Sequence, residues 1–239
     1  MKLDILVIAA HPDDAELGAG GSIVKAVNEG LRVGILDLTR GELGTRGTPE
    51  TRDQEAKAAA KILGTIFREN ADLPDGFLAN TKEFQLKIVP FIRKYQPDIV
   101  LANAVNDRHP DHAKASKLIS DACFLSGLRA IETDWEDAKQ ESWRPKAIYH
   151  FIQDYYIHPD FIVDITDAWE TKMKAVKAFS SQFYQGKGDK GPVTPISTAG
   201  FIQSLEARAR EYGRLIKSEF GEGFTVERPV GVKSFQDII

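Results

Sequence analysis

Three of the chain's five histidines fall in two short acidic clusters. The first reads His11-Pro12-Asp13-Asp14, and the second reads Asp107-Arg108-His109-Pro110-Asp111-His112. Imidazole and carboxylate are both zinc donors, and a catalytic zinc takes three protein ligands while keeping one position for water. His11, Asp14 and His112 would provide that set. Adjacent Asp13 and Asp14 leave a tight turn in different directions, so Asp14 can ligate while Asp13 stays beside the water as general base. His109 and His112 are three apart and share a face at a helix start, so one can ligate while the other meets substrate. Metal in such a site brings the pKa of its water to ~7 and polarises a carbonyl. These parts fit metal-assisted hydrolysis of an amide or ester. The donor set leaves Zn2+ and Fe2+ both open. Each cluster alone also has a plainer explanation: Asp14 could cap a helix, and Pro110 could sit in the first turn of another. Two such clusters, each placed after a strand, are much harder to obtain by accident.

The elements that must position them follow from the hydrophobic pattern. Residues 3–10 and 31–38 are apolar runs, as expected of strands covered on both faces. Shorter runs predict strands at 65–69 and 98–103. Helical spacing predicts helices over 15–29, 50–63, 82–95 and 110–125. Gly30 and Gly64 stop the first two, and Pro90 predicts a kink or a late start in the third. This alternation predicts an α/β fold, a Rossmann-like three-layer sandwich with a mostly parallel sheet, as one domain over residues 1–239. Ligands of such sheets bind at the carboxyl ends of the strands. Both clusters lie there, so the fold would bring them together. Farther on, the pattern is less regular. Strands are expected at 147–153 and 161–165, helices at 168–183 and 201–220, and a Gly/Pro-rich loop at 185–195 that could close over substrate.

Composition narrows the function classes. Apolar residues make up 42% and charged residues 28% of the 239, which excludes collagenous and disordered chains. The net charge of −4 without any block of like charges gives nucleic acid or an anionic membrane no electrostatic hold. The first apolar run is too short for a signal peptide and no stretch is long enough to span a bilayer, so a cytoplasmic location is expected. Cys123 has no partner for an internal disulfide and reads as a small buried residue. His150, between Tyr149 and Phe151, reads as a structural histidine. His158 reads as a turn residue that, with Tyr155 and Tyr156, could line a cleft rim. Gly18, Gly20, Gly21 and Asp37 echo a dinucleotide fingerprint, which makes a nucleotide-binding oxidoreductase the rival reading. Ile23 stands where the third glycine belongs, and the glycines come too late after the strand. They are better read as letting a helix approach the sheet closely.

The segments HPDDAELGAGG (11–21), DLTRGELGTRGTPETRDQEA (37–56), HPDH (109–112), SQFY (181–184) and GEGFTVERP (221–229) resemble PIG-L/LmbE-type N-acetylglucosaminyl deacetylases. Within these the chain is most similar to the bacillithiol biosynthesis group. The resemblance implies a zinc-dependent hydrolase that removes acetate from an N-acetylglucosaminyl conjugate, with N-acetylglucosaminyl malate as the expected substrate. Chitooligosaccharides, GlcNAc-inositol or an antibiotic precursor are the alternatives. By motif position it implies His11, Asp14 and His112 as Zn2+ ligands, with Fe2+ as the other candidate. Asp13 would be the general base, and His109 would stabilise the oxyanion and act as general acid. Arg52 and Arg108 would contact the sugar or its aglycone, and an Arg fork suits a carboxylate. The small-molecule substrate would be the main partner, and the group's members imply a homo-oligomer, hexamer or trimer. The broad family reads HPDDE, whereas Ala15 follows Asp14 here and the acid is Glu16. The roles of Glu16, Asp107 and Asp111 are left open.

Overall fold

The structure, a computed structural model, describes residues 1–183, 189 and 191–237. Nine strands are present among them: β1 (Ile5–Ala9), β2 (Val33–Asp37), β3 (Arg68–Asn70), β4 (Ile99–Ala102), β5 (Asp134–Trp135), β6 (Ala138–Lys139), β7 (Ala147–Phe151), β8 (Phe161–Asp164) and β9 (Gly221–Val226). Seven form one sheet in the order β3-β2-β1-β4-β7-β9-β8. Pairing is parallel from β3 to β7, and β9 then runs antiparallel to both β7 and β8.

Alternation along β1 explains the layers. Ile5, Val7 and Ala9 join a core with α1 (Asp14–Asn28), α2 (Pro49–Leu63), α5 (Trp169–Lys177) and α6 (Ala199–Leu215). Leu6, Ile8 and Ala10 join the opposite core with α3 (Lys82–Tyr95) and α4 (Pro110–Ser126). The result is the expected three-layer α/β sandwich. β2 and β4 flank β1 on opposite sides, so the strand order reverses at β1/β4, and a crevice opens at their carboxyl ends. The glycines of α1 serve close approach: a Cβ on Gly18 would lie 2.2 Å from Phe151 Cδ2, and one on Gly21 would lie 2.7 Å from Ile165. Asp37 is buried against Arg68, at 2.6 Å from Nε, and is not free for a ribose.

Several expectations shift. The helix expected over 168–183 ends at Lys177 and gives way to turns. The helix expected over 201–220 starts at Ala199 and ends at Leu215, where Lys217 turns the chain at φ 62° and lets it return as β9. That strand was not foreseen, because two glycines dilute its apolar pattern. Nor was the β5/β6 hairpin, whose turn residues Glu136 and Asp137 take φ of 48° and 64°. α3 continues through Pro90 as a single helical span, with no late start. Residues 185–188 and 190 of the expected loop, and Tyr184 of SQFY, lie outside the described residues. No helix among the described residues is long and apolar enough to cross a membrane.

Candidate active site

The chain leaves β1 through Ala10 and His11 and turns at Asp13, whose φ of 108° is unusual for a side-chain-bearing residue. α1 then begins at Asp14. Asp13 occupies the N-cap position without a side-chain cap, so neither aspartate is used for capping. Instead the Asp14 carboxylate collects donors from three strand ends. Oδ2 accepts from His11 N (3.0 Å) and Asn103 Nδ2 (2.9 Å), and Oδ1 accepts from Gln153 Nε2 (2.9 Å). The imidazoles complete the group: His112 Nε2 lies 3.1 Å from Asp14 Oδ1 and His11 Nδ1 lies 3.4 Å from Oδ2. Ring centroids of His11, His109 and His112 lie 4.5–5.4 Å apart.

The other acids orient these rings. His112 Nδ1 is hydrogen-bonded to Asp107 Oδ2, while Asp107 Oδ1 accepts from Asp154 N (2.9 Å) and Tyr155 N (2.8 Å). His112 therefore turns Nε2 toward Asp14. Asp111 is fully buried and accepts from Gly76 N (2.7 Å) and Leu78 N (3.3 Å), which anchors the 76–78 turn beside the site. His11 Nε2 is 3.0 Å from Asp75 Oδ1 and 3.4 Å from Asp111 Oδ2, yet buried without an aligned hydrogen bond. His109 heads α4, and its Nδ1 accepts from Asp111 N (3.2 Å), which leaves Nε2 to carry the proton. Glu16 lies below the site on Arg68, 2.5 Å from NH1.

Arg52, from α2, is buried. Its NH2 donates to the Pro12 carbonyl and to Asp13 Oδ2 (3.1 Å). Arg108 is half-exposed, with Nε 3.0 Å from Asp154 Oδ2. Both guanidiniums line a cleft of about 190 Å³ together with His11, Asp13, His109 and His112. The fold thus gathers all seven residues singled out from the sequence in one cleft. Tyr155, Tyr156 and His158 do not line it. His150 is a buried structural residue between Ser116 Oγ (2.9 Å), the Asn103 carbonyl (3.0 Å) and Glu227 (3.2 Å). Cys123 is buried on α4, and burial pushes its thiol up.

Charge follows this geometry. Burial raises the Asp13 carboxyl to about 7, with Arg52 opposing and Asp14 adding to the rise. Burial also works against the charged forms of Asp14 and His112. Even so, His112 and His11 hold Asp14 well below the carboxylate range, and Asp14 with Asp107 lifts His112 to about 9. His109 moves the other way, lowered by burial and by its two imidazole neighbours. The pocket is therefore built to hold positive charge on its inner side. Nitrogen donors of His11, His109 and His112 lie within 4.8 Å of one another, as do His11, Asp75 and Asp111. The N/O donor set and the unpartnered His11 nitrogen fit a divalent cation of the zinc or iron type.

Three residues of this site escaped sequence reading. Asn103 ends an apolar strand and Asp75 sits in a Leu-Pro-Asp-Gly turn, both weak signals. Gln153 carries none.

Residues 6–123 match the family described as PIG-L: GlcNAc-PI de-N-acetylase. A diacetylchitobiose deacetylase of Thermococcus kodakarensis is 35% identical over 190 residues, covering 75% of this chain and 70% of that protein. The chain belongs to the PIG-L family. The conserved protein TT1542 of Thermus thermophilus superposes with a TM-score of 0.86 at 37% identity, over 98% of both chains. A 4-oxalmesaconate hydratase of Pseudomonas putida is 26% identical over 193 residues, covering 74% of this chain and 73% of that protein.

Proposed function

We propose that the chain is a metal-dependent deacetylase of N-acetylglucosamine conjugates, acting on N-acetylglucosaminyl malate in bacillithiol biosynthesis. One observation carries the reading: two imidazoles and a carboxylate converge beside Asp13 and His109, in a cleft at the β1/β4 reversal. His11, Asp14 and His112 would hold Zn2+, with Fe2+ as the other candidate. Asp14 lies 3.1 Å from His112 Nε2 and 3.4 Å from His11 Nδ1, so the three side chains that would hold the metal are adjacent. When bound, the metal supplies Lewis acidity and an acidified water.

The remaining work falls to this chain's own residues. Asp13, raised to about 7, accepts the proton of the attacking water at its carboxylate, and Arg52 on Oδ2 fixes its orientation. His109 presents Nε2–H to the acetyl oxygen as that oxygen gains charge, where a preplaced donor contributes most. The proton that Asp13 took from the water then passes to the leaving amine, so His109 stays a neutral donor throughout and the protons balance. At the cleft mouth, Arg108 Nε lies 3.0 Å from Asp154 Oδ2 and Arg208 NH2 lies 3.0 Å from the Asp154 carbonyl. Both arginines line the cleft, Arg108 paired with the Asp154 carboxylate and Arg208 on a neutral backbone carbonyl, so among the described residues only one of the two guanidiniums there is ion-paired. That surplus suits an anionic aglycone such as malate, reached by Arg108 with Arg52 deeper in the cleft. We extend the reading to a cytoplasmic homo-oligomer, hexamer or trimer, which sedimentation would measure.

The test is acetate release from N-acetylglucosaminyl malate, free N-acetylglucosamine and chitooligosaccharides, with and without chelator. Chelator-sensitive release that is fastest from the malate conjugate supports the proposal. Equal rates on all three would remove the aglycone assignment. The hydratase relative favours one other reading, water addition to an unsaturated tricarboxylate by the same two residues. No acetate release from any sugar, with turnover of such a tricarboxylate, would replace the deacetylase.

A further inference from the structure

The acids at the base of the cleft are not held alike. Asp13 is paired with Arg52, and Glu16 and Asp37 share Arg68. Among the described residues, Asp14 has no ion pair with an arginine or lysine. Apart from the two imidazoles, its oxygens are held by neutral donors: Asn103 Nδ2 and His11 N on Oδ2, and Gln153 Nε2 on Oδ1. The two amides are themselves tied in place. Asn103 Oδ1 accepts from Ala10 N (2.8 Å), and its Nδ2 also donates to Gln153 Oε1 (2.9 Å). Gln153 Oε1 accepts in addition from Ala104 N (3.2 Å). Both residues are buried, at the carboxyl ends of β4 and β7.

We propose that Asn103 and Gln153 are positioning residues that act through Asp14, fixing the direction of its carboxylate while leaving its charge for a bound cation. The inference rests on the reading of Asp14 as a metal ligand. A guanidinium in either place would hold the carboxylate as firmly but cancel the charge that attracts the metal. A neutral amide orients it and does not. Each amide can donate only through its NH2 face, because its oxygen is committed to a backbone N–H. The pair therefore cannot flip without stranding a buried donor. The clamp joins the ends of β1, β4 and β7, so the Asp14 carboxylate is set from the sheet as well as by the His11 N–H of the turn that carries it.

The test is metal affinity, read by competition with a chelator, with the visible spectrum of the cobalt-substituted protein as a second readout. Gln153→Met and Asn103→Ser are compared with wild type, and thermal unfolding of the stripped proteins reports fold. Partners of ligating groups are typically worth 10–100-fold in metal affinity. A loss in that range with an altered cobalt spectrum, in a variant whose stripped form still unfolds cooperatively, is the expected result. Asn103→Ser, the smaller change, is decisive if Gln153→Met does not fold. Affinity within about twofold of wild type and an unchanged spectrum would overturn the proposal, whatever the change in thermal stability. Asp14→Ala in the same titration separates the two levels. If it too keeps its metal, the ligand reading fails. If it loses metal while the amide variants keep it, only the clamp fails.

Discussion

Asp107→Asn tests how the site orients His112. The replacement is isosteric, and its outcome follows from hydrogen-bond direction. Asp107 Oδ1 accepts two backbone N–H groups, from Asp154 at 2.9 Å and Tyr155 at 2.8 Å, while Oδ2 faces His112 Nδ1. An asparagine must keep its oxygen on the two backbone donors, because turning its NH2 toward them would oppose donors to a donor. Its NH2 then faces His112 Nδ1 and makes that nitrogen an acceptor. The ring's proton moves to Nε2, the nitrogen that faces Asp14 at 3.1 Å and would bind metal. To ligate, the ring must change tautomer and give up its bond to residue 107. Losing one hydrogen bond to a charged group costs about 1.5–3 kcal/mol, or about 10–150-fold in metal affinity at about 1.4 kcal/mol per tenfold. Chelator competition near neutral pH measures it. Wild-type affinity in a folded Asp107→Asn protein would refute both the tautomer argument and the assignment of Nε2 to the metal.

Four further outcomes are expected. Asp13→Asn should retain its metal by elemental analysis and lose about 10²–10⁴-fold in kcat, and near-wild-type turnover would remove Asp13 as the base. Stripped of metal, the protein should lose stability as pH rises. The His112 pKa is raised from 6.5 to about 9, so its stabilising contribution is complete below pH 6.5 and lost through about pH 9. Asp13, raised from 3.8 to about 7, acts in the same sense at lower pH. The thermal midpoint of chelator-treated protein should fall on the order of several °C across that upper window, and a flat profile would contradict it. Gly18→Ala places a Cβ 2.2 Å from the Phe151 ring and should destabilise by about 1–3 kcal/mol. Gly200→Ala, with nothing within 4 Å, should be neutral or stabilising by up to about 1 kcal/mol in thermal unfolding.

What could be read from the sequence depended on where its signal lay. β1, β2 and β4 are continuous apolar runs buried on both faces, so pattern alone located them and the clusters that follow. Local chemistry pointed to His11, Asp14 and His112 as a donor set and to Asp13 as a base, the family resemblance pointed to His109 as an acid, and the fold brings all five to one cleft. Arg52 was legible as a cleft residue but not as the partner of Asp13, because α2 meets the β1 turn only in three dimensions. Asn103, Gln153 and Asp75 were invisible for the same reason: amides and a turn aspartate gain their meaning from neighbours far along the chain. β9 was missed because Gly221 and Gly223 lower its strand propensity, while its pairing with β7 and β8 supplies what the local sequence lacks.

The insertion of β9 between β7 and β8 also governs how the molecule can be assembled. Every residue of the proposed metal-binding set has been synthesised by His112, and the parallel strands are complete by Phe151. Yet β8 reaches the sheet only through β9, and Glu222 of β9 holds the Gly21 and Ser22 amides and the buried Lys172 ammonium. Until residues 221–226 emerge, β7 has a bare apolar edge and the helix that carries Asp14 lacks one of its anchors. A chain cut short before Gly221 is therefore a sticky intermediate and not a smaller enzyme.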